Sequence, residues 1–333
     1  MKEKVNIAIL GDGGWGTTLS IHLSKKGYSV TLWGAFKENV AYMNKNRVNK
    51  QFLPNIKIPE GIKITADLSQ AVFNKQLIVL AVPSQYLRQV LKQLKSKEYP
   101  RQAIYLSVTK GIEKSSLKRM SEVFHSELGN LKFAVLSGPT IAYEVVKGVP
   151  TTAVIASHDL RVRKYLQGVF FTDKFRVYTN KDVIGVELGG SLKNIIAIAC
   201  GAADGLGFGT NTKAAILSRG LAEISRLGAA MGANTKTFSG ISGLGDLVTT
   251  CISLHSRNRF VGEEIGKGKT LKEVSSNMQM VAEGVPTAES AHALSLKYKV
   301  DMPIVKEVYN VLYKNKSAFK AFKDLMGRKE KEE

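Results

Sequence analysis

The run Val5–Leu10 followed by Gly11-Asp12-Gly13-Gly14-Trp15-Gly16 constrains this chain more than any other stretch. A short, apolar, β-rich segment leads directly into a glycine-spaced turn. The turn opens a helical pattern from Trp15 to Lys26, with Leu19 and Leu23 on one face and a stop at Gly27. Such a segment suits a central parallel strand buried on both faces. Tyr28–Trp33 reads as the next strand, which completes a βαβ unit of the usual size. Each glycine of Gly11-x-Gly13-x-x-Gly16 has a physical task. Gly11 makes the tight turn out of the strand, Gly13 lets the backbone approach a pyrophosphate, and Gly16 lets the helix pack closely on the sheet. The helix N-terminus then presents N–H groups to the phosphates, so the pattern in this setting predicts a bound nicotinamide dinucleotide.

Further buried strands are expected at Leu77–Val82, Ala103–Val108 and Ala134–Ser137, with helices at Tyr86–Lys95 and Ser115–Ser126. Segments near Thr152–Ala156 and Arg176–Tyr178 extend the sheet. This alternation predicts an α/β, Rossmann-like, doubly wound parallel sheet over residues 1–182. After Asp182 the character changes. Val183–Gly232 is rich in Ala, Gly, Leu and Ile without strand signals, and Thr270–Ala282, Pro286–Tyr298 and Ile304–Leu312 read as helices. An all-α substrate domain over residues 183–333 follows, with Met326–Glu333 as a solvated tail and ligands expected in the cleft between the domains.

Composition narrows the function classes. Lys and Arg number 48 against 28 Asp and Glu, a formal charge of +20, which favours anionic partners. The lysines are spread through the chain, from Lys25 and Lys57 to Lys267 and Lys314, and no helix-turn-helix, RNP or zinc-finger pattern occurs. The charge therefore fits either a phosphorylated metabolite or a merely solvated Lys-rich surface, and nucleic acid is disfavoured. No apolar run approaches the length of a membrane span, so no membrane insertion is expected. Glycines interrupt the N-terminal apolar run too early for a signal peptide. Two cysteines, Cys200 and Cys251, offer neither a disulfide framework nor a metal cluster, and a cytoplasmic location is the default. His22, His125, His158, His255 and His292 lack metal-ligand spacing, so the expected chemistry needs no metal.

The later motifs, taken in order, resemble the bacterial-type NAD(P)-dependent glycerol-3-phosphate dehydrogenases. The resemblance runs from Val5 to about Pro303. It is carried by GDGGWGTTLS (11–20), AVPSQ (81–85), SVTKGIE (107–113), LSGPTIAYEV (136–145), VELGGSLKNIIAIACGAADGLGFGTNTKAA (186–215), GLGDLVTTC (243–251), SRNR (256–259) and EGVPTAES (283–290). It implies reversible reduction of dihydroxyacetone phosphate to sn-glycerol 3-phosphate, a product that feeds glycerophospholipid synthesis, in a homodimer. Lys193 then matches the proton donor and acceptor. Lys110, Gly138, Thr140, Asp246, Ser256, Arg257 and Asn258 match positions that handle substrate. Gly14, Trp15, Ala35, Phe36, Lys110, Ala142, Arg257, Val281 and Glu283 match cofactor-contacting positions, beside Gly11, Gly13 and Gly16 of the turn. The chain departs from the family at Gly14, where Ser is frequent, and at Ala35 and Phe36, where His or Arg is frequent.

Independently of the resemblance, ketone reduction needs a hydride donor, a proton donor and stabilisation of the developing oxyanion. Lys193 stands alone in an apolar, small-residue helix, where it either does chemistry or snorkels to solvent. Lys110 is a second cation for the carbonyl oxygen, or a loop lysine after a strand. Asp246 orients a lysine or a substrate hydroxyl, or caps the following helix. Arg257, Asn258 and Ser256 suit a phosphate, or form a basic surface turn. The second strand ends Trp33-Gly34-Ala35-Phe36-Lys37 without the acid that usually binds the ribose 2′-hydroxyl, and Lys37 either accommodates a 2′-phosphate or is a solvated loop residue, so NAD and NADP both stay open. Two rivals remain: a related Rossmann-plus-helical dehydrogenase of the β-hydroxyacid or 6-phosphogluconate type, and a non-catalytic dinucleotide sensor or nucleic-acid-associated protein that exploits the charge.

Overall fold

The computed structural model describes residues 5–276, 278, 281–330 and 332. The chain divides into two compact units, one of Met1–Lys110 and Lys118–Val186, the other of Gly111–Leu117 and Glu187–Glu333.

In the first unit the strands are β1 (Asn6–Leu10), β2 (Ser29–Trp33), β3 (Val48–Asn49), β4 (Leu53–Lys57), β5 (Lys63–Thr65), β6 (Leu77–Leu80), β7 (Ile104–Ser107), β8 (Phe133–Ser137), β9 (Thr151–Ala156) and β10 (Phe175–Asn180). Eight of them form one sheet in the order β10-β9-β8-β7-β6-β1-β2-β5. Strands β1, β6, β7 and β8 are near-continuous apolar runs because helices cover both faces of the sheet. The helices are α1 (Gly14–Lys25), α2 (Lys37–Asn46), α3 (Leu68–Val72), α4 (Leu87–Lys95), α5 (Met120–Leu128), α6 (Ala142–Val146) and α7 (Leu160–Phe170). Leu19 and Leu23 are fully buried in the core, as the helical pattern of α1 requires.

The expected Rossmann-like sheet is present, with one correction to its all-parallel character. β9 pairs antiparallel with β8, so β9 and β10, parallel to each other, run against the rest. A strand's hydrophobic pattern is the same in either direction, and the sequence pattern carries no sign of the reversal. The helix expected at Ser115–Ser126 begins later, at Met120. Leu117 adopts a left-handed φ of 58°, which no helix accommodates, and Arg119 with Glu122 caps the helix that does form.

The second unit is helical: α8 (Val183–Gly205, which starts in the first unit), α9 (Thr210–Ala230), α10 (Asp246–Ile252), α11 (Arg257–Gly266), α12 (Leu271–Ser276), α13 (Gly284–Lys297), α14 (Pro303–Tyr313) and α15 (Ala318–Met326). The expectation that no apolar run approaches a membrane span needs correcting. By length and composition, the 23 residues of α8 suffice to cross a membrane, but its most apolar stretch is 94% buried inside the protein. It is built as a core helix, with glycines that admit neighbours. A Cβ on Gly201 would stand 1.9 Å from the Arg259 carbonyl oxygen, and one on Gly262 equally close to that of Ile198. This backbone-to-backbone approach seats α11 against α8. Of the helix expected at Thr270–Ala282, α12 covers the first part, while Asn277, Gln279 and Met280 lie outside the described residues. Helix α15 ends at Met326, the first residue of the expected tail, and the tail's Lys331 and Glu333 are likewise outside the described residues. Glu223 on α9 is 1% exposed and accepts hydrogen bonds from the Ile304 and Val305 N–H groups at 2.7 and 3.1 Å. It thereby caps α14 from another helix.

Candidate active site

Within the first unit, the carboxyl ends of the parallel strands carry the predicted residues, which is where open α/β sheets bind ligands. β1 ends at Leu10, and Gly11 turns the chain with φ +121°. A Cβ there would stand 2.6 Å from the Ala81 carbonyl, and one on Gly16 would stand 1.9 Å from the Gly11 oxygen. The fold itself therefore demands both glycines. Gly13 differs, since its φ of −64° suits any residue and no protein atom lies within 4 Å of its Cβ position. Nothing in the protein requires glycine there, whereas a pyrophosphate approaching the start of α1 would. No side chain caps α1 and no acid stands in its first turn, so its N-terminal N–H groups face an anion without competition. The residues of the turn fit a dinucleotide.

Gly14 is also explained by packing. The Phe52 carbonyl oxygen lies 2.9 Å from where its Cβ would be, so the departure from Ser accompanies a close approach of the β3–β4 turn. The Thr18 hydroxyl donates to the Ala142 carbonyl at 3.1 Å, which brings Ala142 to the turn. Trp15 is half-buried, with its Nε1 buried and lacking an acceptor. Beyond β2, Ala35 through Glu38 are exposed, Phe36 at 72%. At the ends of β7 and β8, the Lys110 ammonium donates to the Gly138 carbonyl at 2.9 Å and the Thr140 hydroxyl donates to the same oxygen at 3.1 Å. Three residues assigned to substrate by resemblance thus share one oxygen.

Within the second unit, Lys193 on α8 is only 5% exposed. Its Nζ donates to Asp246 Oδ1 and, at 2.5 Å, to the Thr250 hydroxyl, which in turn donates to the Asp246 carbonyl at 2.7 Å. Lys193 therefore does not snorkel. Asp246 opens α10 one residue past its N-cap, Gly245, and its buried side chain pairs with the lysine. Burial of a lone ammonium is costly, and this carboxylate and hydroxyl compensate for it. Cys200 and Cys251 are buried nearby. Their mutual hydrogen bond and burial push the Cys251 thiol well above its ordinary pKa, which keeps it a neutral filler.

The SRNR segment takes up the start of α11. The Ser256 hydroxyl accepts from Arg259 N–H at 3.3 Å and caps the helix. Arg257 is exposed, with Nη1 donating to the Val281 carbonyl at 2.9 Å. Asn258 is buried, donating to Asn194 Oδ1 at 2.9 Å and accepting from Gly284 N–H at 2.9 Å. Glu283 immediately precedes α13. Arg259, adjacent to these, is spent internally on Asp204 at 2.7 Å.

Sequence reasoning missed Thr250 and Asn194. The first was visible as a hydroxyl four residues after Asp246, on the same helical face. The second stands beside Lys193 as the one side-chain amide in the run LGGSLKNIIAIACGAA, with no local signal of its distant partner Asn258. No three His, Cys, Asp or Glu side chains converge as a metal site among the described residues.

A Rossmann-like sheet with a phosphate-ready turn, joined to a helical unit with a buried Lys–Asp–Thr cluster, defines a dinucleotide-linked oxidoreductase. Comparison with known proteins makes the assignment specific. Family models described as NAD-dependent glycerol-3-phosphate dehydrogenase N-terminus and C-terminus match residues 6–163 and 182–323. A curated glycerol-3-phosphate dehydrogenase [NAD(P)+] of Fusobacterium nucleatum is 49% identical over 98% of this chain and 98% of its own length. One from a Thermoanaerobacter species is 48% identical over 99% of both. The crystal structure of glycerol-3-phosphate dehydrogenase from Coxiella burnetii superposes with a TM-score of 0.94 at 38% identity, covering 98% of this chain and 99% of that one. The chain belongs to the NAD-dependent glycerol-3-phosphate dehydrogenase family and is an oxidoreductase.

Proposed function

We propose that this protein reduces dihydroxyacetone phosphate to sn-glycerol 3-phosphate, reversibly and with NADH or NADPH, supplying glycerophospholipid synthesis in the cytoplasm. The observation that carries this reading is Lys193, buried in an apolar helix and held by Asp246 and Thr250. The bound dinucleotide supplies a hydride for the C2 ketone. Lys193 holds a proton for the C2 oxygen as negative charge develops there, and takes it back in the oxidative direction. Asp246 and Thr250 fix the ammonium's position and keep its charge compensated. Lys110, oriented by the Gly138 carbonyl, adds positive charge for the oxyanion. The guanidinium of Arg257, with Asn258 and the Ser256 turn, holds the substrate phosphate, a task for which a planar fork of donors is suited. The Gly13–Gly14 backbone at the head of α1 holds the pyrophosphate. By the same family resemblance the working unit is a homodimer; the division near residue 182 read from the sequence pattern is kept, except that Gly111–Leu117 belong with the helical unit.

A panel of carbonyl substrates with each reduced cofactor tests this. Oxidation of cofactor is expected with dihydroxyacetone phosphate and not with β-keto acids. Turnover of a hydroxyacid alone would overturn the reading in favour of the related dehydrogenases.

A further inference from the structure

The missing acid after β2 has a substitute inside the glycine turn itself. Asp12 is 7% exposed, and its carboxylate reaches from the turn to the end of β2, where a Cβ on Gly34 would stand 2.5 Å from Asp12 Oδ2. Gly34 is thus the residue whose absent side chain makes room for that oxygen. Asn39, in the first turn of α2, donates to the same oxygen at 2.6 Å. The Asp12 carbonyl is separately fixed, accepting from Asn49 Nδ2 at 2.6 Å and the Thr17 hydroxyl at 3.2 Å. Among the described residues no cation pairs with this carboxylate. Burial raises its pKa, opposed by the Asn39 hydrogen bond.

A carboxylate at the end of the second strand is the element that recognises a ribose diol and repels a 2′-phosphate. We infer that Asp12, placed against Gly34 and held by Asn39, is the residue that selects NAD(H) over NADP(H) in this chain. The inference rests on the dinucleotide reading of the glycine turn and goes beyond it by assigning the choice to one side chain. A 2′-phosphate would bring about two negative charges towards a buried carboxylate with no counter-cation, and like-charge juxtaposition is heavily penalised where water is scarce. Lys37 nearby is an exposed solvated side chain, free of any hydrogen bond to the turn in the structure. Its presence does not cancel a charge buried beneath the turn.

The alternative role for Asp12 is purely structural, a tie between the turn and α2. Two variants separate the roles. Asp12→Asn keeps an acceptor for Asn39 and removes the charge, while Asn39→Ala breaks the tie and keeps the charge. Dissociation constants for NADH and NADPH are read by nucleotide fluorescence, without substrate. The wild-type protein is expected to bind NADH at least about tenfold more tightly than NADPH. In Asp12→Asn that ratio should shrink by about tenfold, mainly through tighter NADPH binding, with the melting temperature retained. In Asn39→Ala the preference for NADH should persist despite a lower melting temperature. A wild-type preference for NADPH overturns the inference, as does an unchanged ratio in Asp12→Asn. Loss of preference in Asn39→Ala alone assigns the effect to the tie and also overturns it. Failure of either cofactor to bind would instead strike at the dinucleotide reading of the turn.

Discussion

The glycine turn and the Lys193 cluster do comparable work by opposite means. The turn presents backbone: Gly11 and Gly16 exist so that strand, turn and helix can approach within contact, and Gly13 presents N–H groups without a side chain. The lysine cluster presents side chains drawn from residues 53 and 57 positions apart, held in a dry interior. A site made of backbone depends on space, and one made of side chains depends on specific atoms. Substitutions should therefore fail in different ways in the two places.

The largest effect is expected at the side-chain site. Lys193→Ala should fold and still bind cofactor, yet lose turnover by about 10³-fold or more, measured by steady-state kinetics beside nucleotide titration. A loss below about tenfold would remove Lys193 from proton transfer. In the turn, Gly16→Ala drives a methyl group into the Gly11 carbonyl and should destabilise the fold by about 3 kcal/mol, visible as a lower melting temperature. Unchanged stability there would mean that the turn is looser than its contacts imply.

Glu223 tests whether a helix N-terminus can hold an anion inside the protein much as α1 is built to hold a phosphate. Burial pushes its pKa up to about 7, against the opposing hydrogen bonds from Ile304 and Val305. The stability contributed by protonated Glu223 is present below the ordinary value near 4.5 and is lost as pH rises through about 7. Over that window wild type should lose about 3 kcal/mol that Glu223→Gln does not, so the variant's melting temperature should be the flatter function of pH. Equal slopes would show that α14 fully compensates the charge. The mildest case is Gly13→Ala, which has room in the protein. It should leave the melting temperature unchanged and weaken NADH binding by about tenfold, through steric conflict with the pyrophosphate alone.

This contrast also explains what was legible in the sequence. The turn and the buried strands are local patterns, so β1, α1, β2, β6, β7 and β8 are readable within a residue or two at most ends. β5 and the β3–β4 hairpin are not, because they are short, polar edge segments without a continuous apolar signature. The reversal at β9 and the helix α15 were equally invisible, the latter lying in a lysine-rich stretch. At the site, Lys193 and Asp246 stood out as residue types out of pattern. The choice between lysine partner and helix cap for Asp246 was tertiary, since both roles use the same residue at the same helix start. The sequence pattern carries no sign of a role for Asp12, because its destination, Gly34, becomes a neighbour only once β2 lies beside β1.

The short excursion Gly111–Leu117 bears on how the polypeptide is made. Ile112 is fully buried in the helical unit, and its carbonyl accepts from the Ser290 hydroxyl, 178 residues downstream, while Lys114 pairs with Glu289 at 2.7 Å. On a ribosome this segment emerges long before the helix that will hold it, and must wait unpaired through the synthesis of most of the remaining chain. A fragment cut to begin at α8 would lack one of its own core residues. The helical unit is therefore not a detachable module: recombination at a single boundary would leave it missing a piece encoded in the other half.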